Sequence, residues 1–269
     1  MKNLNNKVAM VTGASLGIGA AISKELAAQG CRVALVARTQ ATLEQVAAEI
    51  EAAGGTARPY PCDMNDADAV ATTVTNIADD LGPIAILVNN AGAGTFKPLK
   101  DMTTREAMLT VNLPFGAAVA ATHAVVPGMI ERGEGHIVNL TSPAGYFPLP
   151  YMVPYTASRH AMVGLSRSLR EELEPHGIGV SLICPAQVNT GYFERNDADV
   201  AWYPRLQKVF PALEPEQVAR ETVRAIRANK AEHVFGPLLA ATTFAYQHAP
   251  RTGLWLFKKL GLFQPLKKR

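Results

Sequence analysis

The segment Lys7-Val8-Ala9-Met10-Val11-Thr12-Gly13-Ala14-Ser15-Leu16-Gly17-Ile18-Gly19 sets a short apolar run, a glycine-rich turn and the start of a helical pattern in immediate succession. The apolar run predicts a strand over Lys7–Val11, and the apolar spacing from Ile18 to Gln29 predicts a helix that Gly30 closes. A strand that feeds a helix through three glycines brings bare backbone N–H groups and a helix N-terminus to one point, a geometry that suits a pyrophosphate. A glycine-rich turn alone could equally be a tight connection. The strand before it and the helix after it supply the context that a dinucleotide site requires.

The alternation continues outward from this segment. Runs rich in Val, Ile, Leu and Ala at Arg32–Val36, Thr56–Pro61, Ile84–Val88, Gly135–Leu140, Gly179–Cys184 and Glu232–Phe235 are separated by stretches of helical period, one of them Thr39–Ala53 before Gly54 and Gly55. Strands alternating with helices make βαβ units, and these predict an α/β fold: a single-domain, Rossmann-type, doubly wound parallel sheet of about seven strands. No internal repeat, interdomain linker or apolar run of membrane-spanning length interrupts the 269 residues. One dinucleotide-binding and catalytic domain over residues 1–269 is therefore expected.

A composition of 48% hydrophobic and 18% charged residues is that of a globular chain with a large core, and disorder is not expected. The first strand is too short, and too soon followed by Gly13, to be the apolar region of a secretory signal, so a cytoplasmic protein is expected. Cys31, Cys62 and Cys184 are odd in number and lie in or beside apolar runs; they read as reduced, buried thiols, with no metal site. Of the net charge of +3, residues 250–269 contribute six basic side chains and no acid, which leaves −3 on the rest. That division argues against a nucleic-acid face spread over the fold and raises an anionic membrane surface as a partner.

Thr12 to Gly19 fits at every defined position the T-G-x-x-x-G-I-G signature of the short-chain dehydrogenase/reductase family, which the chain resembles from about Lys7 to Gly236. The resemblance implies a nicotinamide dinucleotide held at Gly13, Ser15, Leu16, Gly17, Ile18 and Gly19, with Asp63 and Met64 near its adenine. It also implies contacts from Asn90, Ala91 and Gly92 of Asn89-Asn90-Ala91-Gly92, although Asn90 could equally be a turn residue. Pro185, Val188 and Thr190 belong to a stretch similar to the family's P-G-x-V-x-T, with Ala186 replacing the glycine. In the family an acid ending the second strand accepts from the ribose 2′-hydroxyl; this chain has Ala37-Arg38. A guanidinium can pair with a 2′-phosphate in bidentate fashion, so NADP (NADPH) is expected over NAD(H), with a solvated loop charge as the plain alternative.

Carbonyl reduction needs a proton donor, a second donor to polarise the carbonyl, and a cation that brings a tyrosine down from its ordinary value of about 10. Tyr155 and Arg159 lie four residues apart and so share a helix face, and Ser142 precedes Tyr155 by 13 residues. These look like the family's Ser and Y-x-x-x-K set, in which the tyrosine and the cation also hold the nicotinamide ribose. Asn112, expected on a long fourth helix, is similar to the family's fourth member, which holds a water for proton relay. The departure is Arg159 in place of lysine: it keeps the charge but is effectively never deprotonated, so it can hold the ribose and not relay a proton. Tyr151 is an alternative acid whose spacing from Ser142 does not fit.

The resemblance implies a mobile lid over about residues 190–212, which here contains Tyr192, Phe193, Trp202, Tyr203 and Phe210, with Phe147, Leu149 and Tyr151 on the opposite loop. Phe147, Tyr151, Tyr192, Phe193 and Trp202 are the expected contacts of a bulky apolar carbonyl or alcohol substrate. Several of these aromatics could instead be core contacts or contacts of a homo-oligomer, which is itself expected as a dimer or tetramer. The basic, amphipathic C-terminal segment, residues 238–269, could lie on a membrane, on the protein's own surface or on a partner chain. Three functions follow: an NADP-dependent carbonyl reductase or alcohol dehydrogenase, a catalytically weak or silent dinucleotide-binding protein, and a membrane-surface protein.

Overall fold

The computed structural model describes residues 1–192 and 200–264. Strands β1 (Val8–Thr12), β2 (Arg32–Ala37), β3 (Thr56–Pro61), β4 (Ile84–Asn89), β5 (Gly135–Leu140), β6 (Ile178–Cys184) and β7 (Glu232–Val234) form one parallel sheet in the order β3-β2-β1-β4-β5-β6-β7. The expected strands are all present, their ends shifted by at most one residue. β1, β4, β5 and β6 are buried along their whole length, as strands covered by helices on both faces must be. β3 carries Pro59 and Pro61 and lies at the sheet edge, where a missing ladder donor costs least.

The helices are α1 (Gly17–Ala28), α2 (Gln40–Ala52), α3 (Ala67–Leu81), α4 (Thr104–Val111), α5 (Ala117–Arg132), α6 (Val153–Leu173), α7 (Pro215–Ala228), α8 (Pro237–His248) and α9 (Pro250–Lys259). Alternate strand residues feed two cores. Ala9, Val11, Val33 and Leu35 pack with Ile22, Leu26 and Ile226, and Val8, Met10, Ala34 and Val36 pack with Ile77, Val125 and Met129. Each fully buried Val, Leu or Ile contributes about 1.5–3 kcal/mol. A third cluster, including Phe96, Phe147, Met152, Tyr155, Leu206, Phe210 and Phe257, lies beside the functional end of the sheet.

The expected long fourth helix is present but broken by a π turn, Asn112–Gly116, at Pro114, which has no N–H to give the ladder. Contrary to the sequence expectation, the combined Thr104–Arg132 stretch is long and apolar enough to cross a membrane by length and composition. Its second half places Ala117, Ala121, Val125 and Met129 in the second core. Between β1 and β4 the strand order reverses direction, and the crevice outside their carboxyl ends is where ligands collect in such sheets.

Candidate active site

The glycine turn is locked to β4. Thr12 Oγ1 donates to the Val88 carbonyl at 3.2 Å and accepts from the N–H groups of Asn90 and Ala91, each at 3.0 Å. Asn90 Nδ2 donates to the carbonyls of Thr12 at 2.9 Å and Gly13 at 3.2 Å. Gly13 and Gly17 sit at φ 65° and 57°, and a Cβ on Gly19 would lie 2.1 Å from the Gly13 carbonyl oxygen. The turn is therefore compact because Gly13, Gly17 and Gly19 carry no side chain at its tight points. Asn90 lines the crevice and clamps it, so the turn-residue reading and the site reading both hold.

The crevice has a volume of about 530 Å³. Gly13, Ser15, Leu16, Gly17, Ile18, Arg38, Met64, Asn90, Ala91 and Gly92 line one side, with Pro185, Val188 and Thr190 across it. Arg38 is exposed and makes no ion pair among the described residues. Asp63 departs from expectation: it is exposed, outside the lining, and its carboxylate accepts from the Asn65 N–H at 3.0 Å and the Asn65 amide at 2.9 Å. Those bonds, with Arg38 as a smaller contributor, hold Asp63 below the usual carboxylate value. The carboxylate serves its own turn. Gly19 likewise supports the turn from behind and does not line the crevice.

Ser142, Tyr155 and Arg159 enter from the end of β5 and from α6. Ser142 caps the short turn Pro143–Gly145, its Oγ accepting from the Ala144 N–H at 3.1 Å. The end of β5 is tied to α6 by Thr141 Oγ1, which donates to the Arg159 carbonyl at 3.1 Å. Tyr155 and Arg159 are both buried, one turn apart on α6, and line the crevice with Ser142. The guanidinium lies over the Tyr155 ring, 4.9 Å from its centroid, and Nη1 donates to the Leu140 carbonyl at 2.9 Å. Nε is buried with no hydrogen-bond partner among the described residues. Burial works to lower the Arg159 pKa, but the phenols of Tyr155 and Tyr192 beside it prevail, so its pKa stands above the ordinary guanidinium value and it stays charged.

Asn112 stands apart from this group: it opens the π turn, its side chain is exposed, and it does not line the crevice. Only its helix is coupled to the site, through Ser158 Oγ, which donates to the Val111 carbonyl at 3.3 Å. Of the expected substrate contacts, Phe147 and Tyr192 line the crevice. Tyr151 and Trp202 lie outside its lining and pair with each other, ring centroids 5.0 Å apart. Tyr151 also adopts φ 68°, a left-handed conformation unusual for an aromatic residue. Phe193 lies outside the described residues.

Phe96, Met152 and Leu206 also line the crevice, and sequence reasoning missed them. Phe96 follows the Asn89-Asn90-Ala91-Gly92 motif closely, and that proximity was the one signal it gave. Its ring meets Tyr155 edge-on with centroids 5.4 Å apart. The three cysteines are free and buried, and burial pushes the Cys31 thiol up to about 11.

A family model described as short chain dehydrogenase matches residues 7–201. The chain is 36% identical over 250 residues to an uncharacterized oxidoreductase of Mycobacterium bovis, covering 89% of this chain and 71% of that one. It is 35% identical over 227 residues to a fatty acyl-CoA reductase of Acinetobacter baylyi, covering 84% and 74%. A crystal structure of a metagenomic short-chain oxidoreductase in complex with NADP is similar at a TM-score of 0.74 and 35% identity, covering 87% of this chain and 98% of that one.

Proposed function

Because the chain belongs to the short chain dehydrogenase family of oxidoreductases, we propose that it transfers a hydride between NADP(H) and the carbonyl or secondary alcohol of a bulky apolar substrate. The observation that carries this reading is one crevice shared by the glycine-rich turn at Gly13–Gly17 and the trio Ser142, Tyr155 and Arg159. The residues fit the cofactor. A Cβ at Gly13 would come within 3.0 Å of the Ala91 backbone, so the cradle stays open only with glycine, and the buried Arg159 Nε is a donor awaiting an acceptor. Arg38, exposed at the crevice wall, suits a 2′-phosphate. The similar structure with NADP bound supports the same choice.

The bound nicotinamide supplies or accepts the hydride. In the reducing direction the Tyr155 hydroxyl gives its proton to the carbonyl oxygen as negative charge grows there, and Ser142 Oγ donates a hydrogen bond to the same oxygen. Arg159 holds a fixed positive charge against the phenol ring, 4.9 Å from its centroid, beside the group that gives up the proton. In the oxidising direction the roles of Tyr155 reverse. Phe96, Phe147, Tyr203, Leu206 and Phe210 wall the site with apolar surface, which excludes water and favours a hydrophobic substrate.

NADPH oxidation with a panel of hydrophobic ketones tests the reading: turnover of at least one ketone, abolished in Tyr155→Phe, is expected. Turnover that survives Tyr155→Phe would reject Tyr155 as the acid. A second reading, a dinucleotide-binding protein with little catalysis, draws on the Arg159 guanidinium being taken up by Leu140 and the Tyr155 ring. NADPH binding without turnover of any ketone or alcohol would favour it.

A further inference from the structure

Helices α8 and α9 lie against the third apolar cluster with an inner face that is fully used. Leu239 and Phe257 are buried, and Phe257 meets Phe147 edge-on at 5.6 Å and stacks on Tyr246 at 6.0 Å between ring centroids. The outer face is apolar and uncovered: Phe244 is 64% exposed, Trp255 58%, Leu256 43% and Leu260 60%. On α9, helical spacing puts Trp255, Leu256, Lys259 and Leu260 on one arc with Lys258 at its margin. The Lys259 ammonium stands 4.8 Å from the Trp255 ring centroid.

Charge selects the occupant of this face. Among the described residues of this segment Arg251, Lys258 and Lys259 are basic and none is acidic. A two-fold contact with a second copy would set these cations against themselves. An arc of tryptophan and leucine edged by lysines instead matches an anionic phospholipid surface, where the headgroups take the ammonium groups and the apolar side chains enter the headgroup boundary.

The same segment is strapped to residues that line the crevice. Leu206 N–H donates to the Leu262 carbonyl and Arg205 N–H to the Gln264 carbonyl, both at 3.0 Å, and Leu206 lines the crevice. The Arg205–Val209 turn is therefore held by the residues that run directly off α9.

We infer that the outer face of α8 and α9 docks the protein on an anionic phospholipid surface, and that docking acts through Leu262–Gln264 on the crevice-lining turn Arg205–Val209. The docking does not depend on the proposed reaction, and its tests use no turnover. The full chain should float with vesicles of phosphatidylcholine and phosphatidylglycerol in equal amounts, and stay behind with phosphatidylcholine alone. Lys258→Glu/Lys259→Glu should weaken vesicle binding by at least about tenfold. Trp255→Ser/Leu256→Ser/Leu260→Ser should lose it, while both variants bind NADPH and sediment as the parent does. Amide exchange at Arg205 and Leu206 should change severalfold when anionic vesicles are added. Failure to float on anionic vesicles, or flotation that both variants leave intact, overturns the docking. Variants that alter the oligomeric state of a protein that binds no vesicle overturn it in favour of an interface between copies. Unchanged exchange at Arg205 and Leu206 overturns the coupling to the crevice wall.

Discussion

The Arg159 guanidinium rests over the ring of Tyr155, 4.9 Å from its centroid, and is anchored there by the Leu140 carbonyl at 2.9 Å. A cation so held stabilises the site by its charge but neither swings nor gives up a proton. Lysine at this position is shorter, carries its charge at one nitrogen and can deprotonate. Arg159→Lys is expected to raise kcat about tenfold, equivalent to about 1.4 kcal/mol of barrier, with little change in KM. Steady-state kinetics on one accepted ketone decide the matter, and a fall in kcat would show that the anchored guanidinium is the working form.

Arg38 stands at the crevice wall with no ion pair among the described residues, so its charge is available to a ligand phosphate. NADP(H) should bind at least about tenfold more tightly than NAD(H), or about 1.4 kcal/mol, and Arg38→Ala should remove most of that margin. Titration calorimetry with both cofactors measures it. Equal affinities in the parent protein would refute the assignment.

Asn90 joins β4 to a turn 77 residues away, through bonds to the carbonyls of Thr12 and Gly13. Asn90→Ala leaves both acceptors without their donor, at a cost of about 1–3 kcal/mol of stability. It should lower the Tm and weaken cofactor affinity at least about tenfold by loosening the cradle. If affinity is kept while the Tm drops, Asn90 supports the sheet alone.

His136 is buried in β5, its Nε2 2.9 Å from Ser181 Oγ, which itself donates to the Lys230 carbonyl at 2.6 Å. Because that hydroxyl proton is committed, Nε2 carries the ring proton and donates to Ser181. Burial is the main cause that pushes the His136 pKa down to about 3, with smaller contributions from the N-terminal amino group and Arg170. The unfolded chain, with an ordinary histidine value of about 6.5, therefore binds more protons than the folded one between these values. Stability should fall with acidification below pH ~6.5, at up to about 1.4 kcal/mol per pH unit from this group. Urea unfolding of the parent and of His136→Gln at pH 7 and pH 5 compares the slopes (test conditions about two units apart), and equal acid sensitivity in both would assign the loss to other groups.

The sequence by itself determined whatever depends on short spacing along the chain. The strands followed from short continuous apolar runs and the helices from a period of 3.6 residues, the open turn at Gly13 and Gly17 from glycine's freedom at positive φ, and the shared face of Tyr155 and Arg159 from one helical turn. Only the tertiary structure decided which of these residues meet. It withdrew Asp63 into its own turn, left Asn112 exposed at a break made by Pro114, and paired Tyr151 with Trp202 outside the crevice lining. It also brought in Phe96 and strapped Leu206 to Leu262, contacts for which no local pattern exists. The physical reason is that periodicity constrains one element at a time. Contacts between distant segments depend on how apolar faces pack and where unpaired backbone groups find partners, and both are settled only when the whole chain closes.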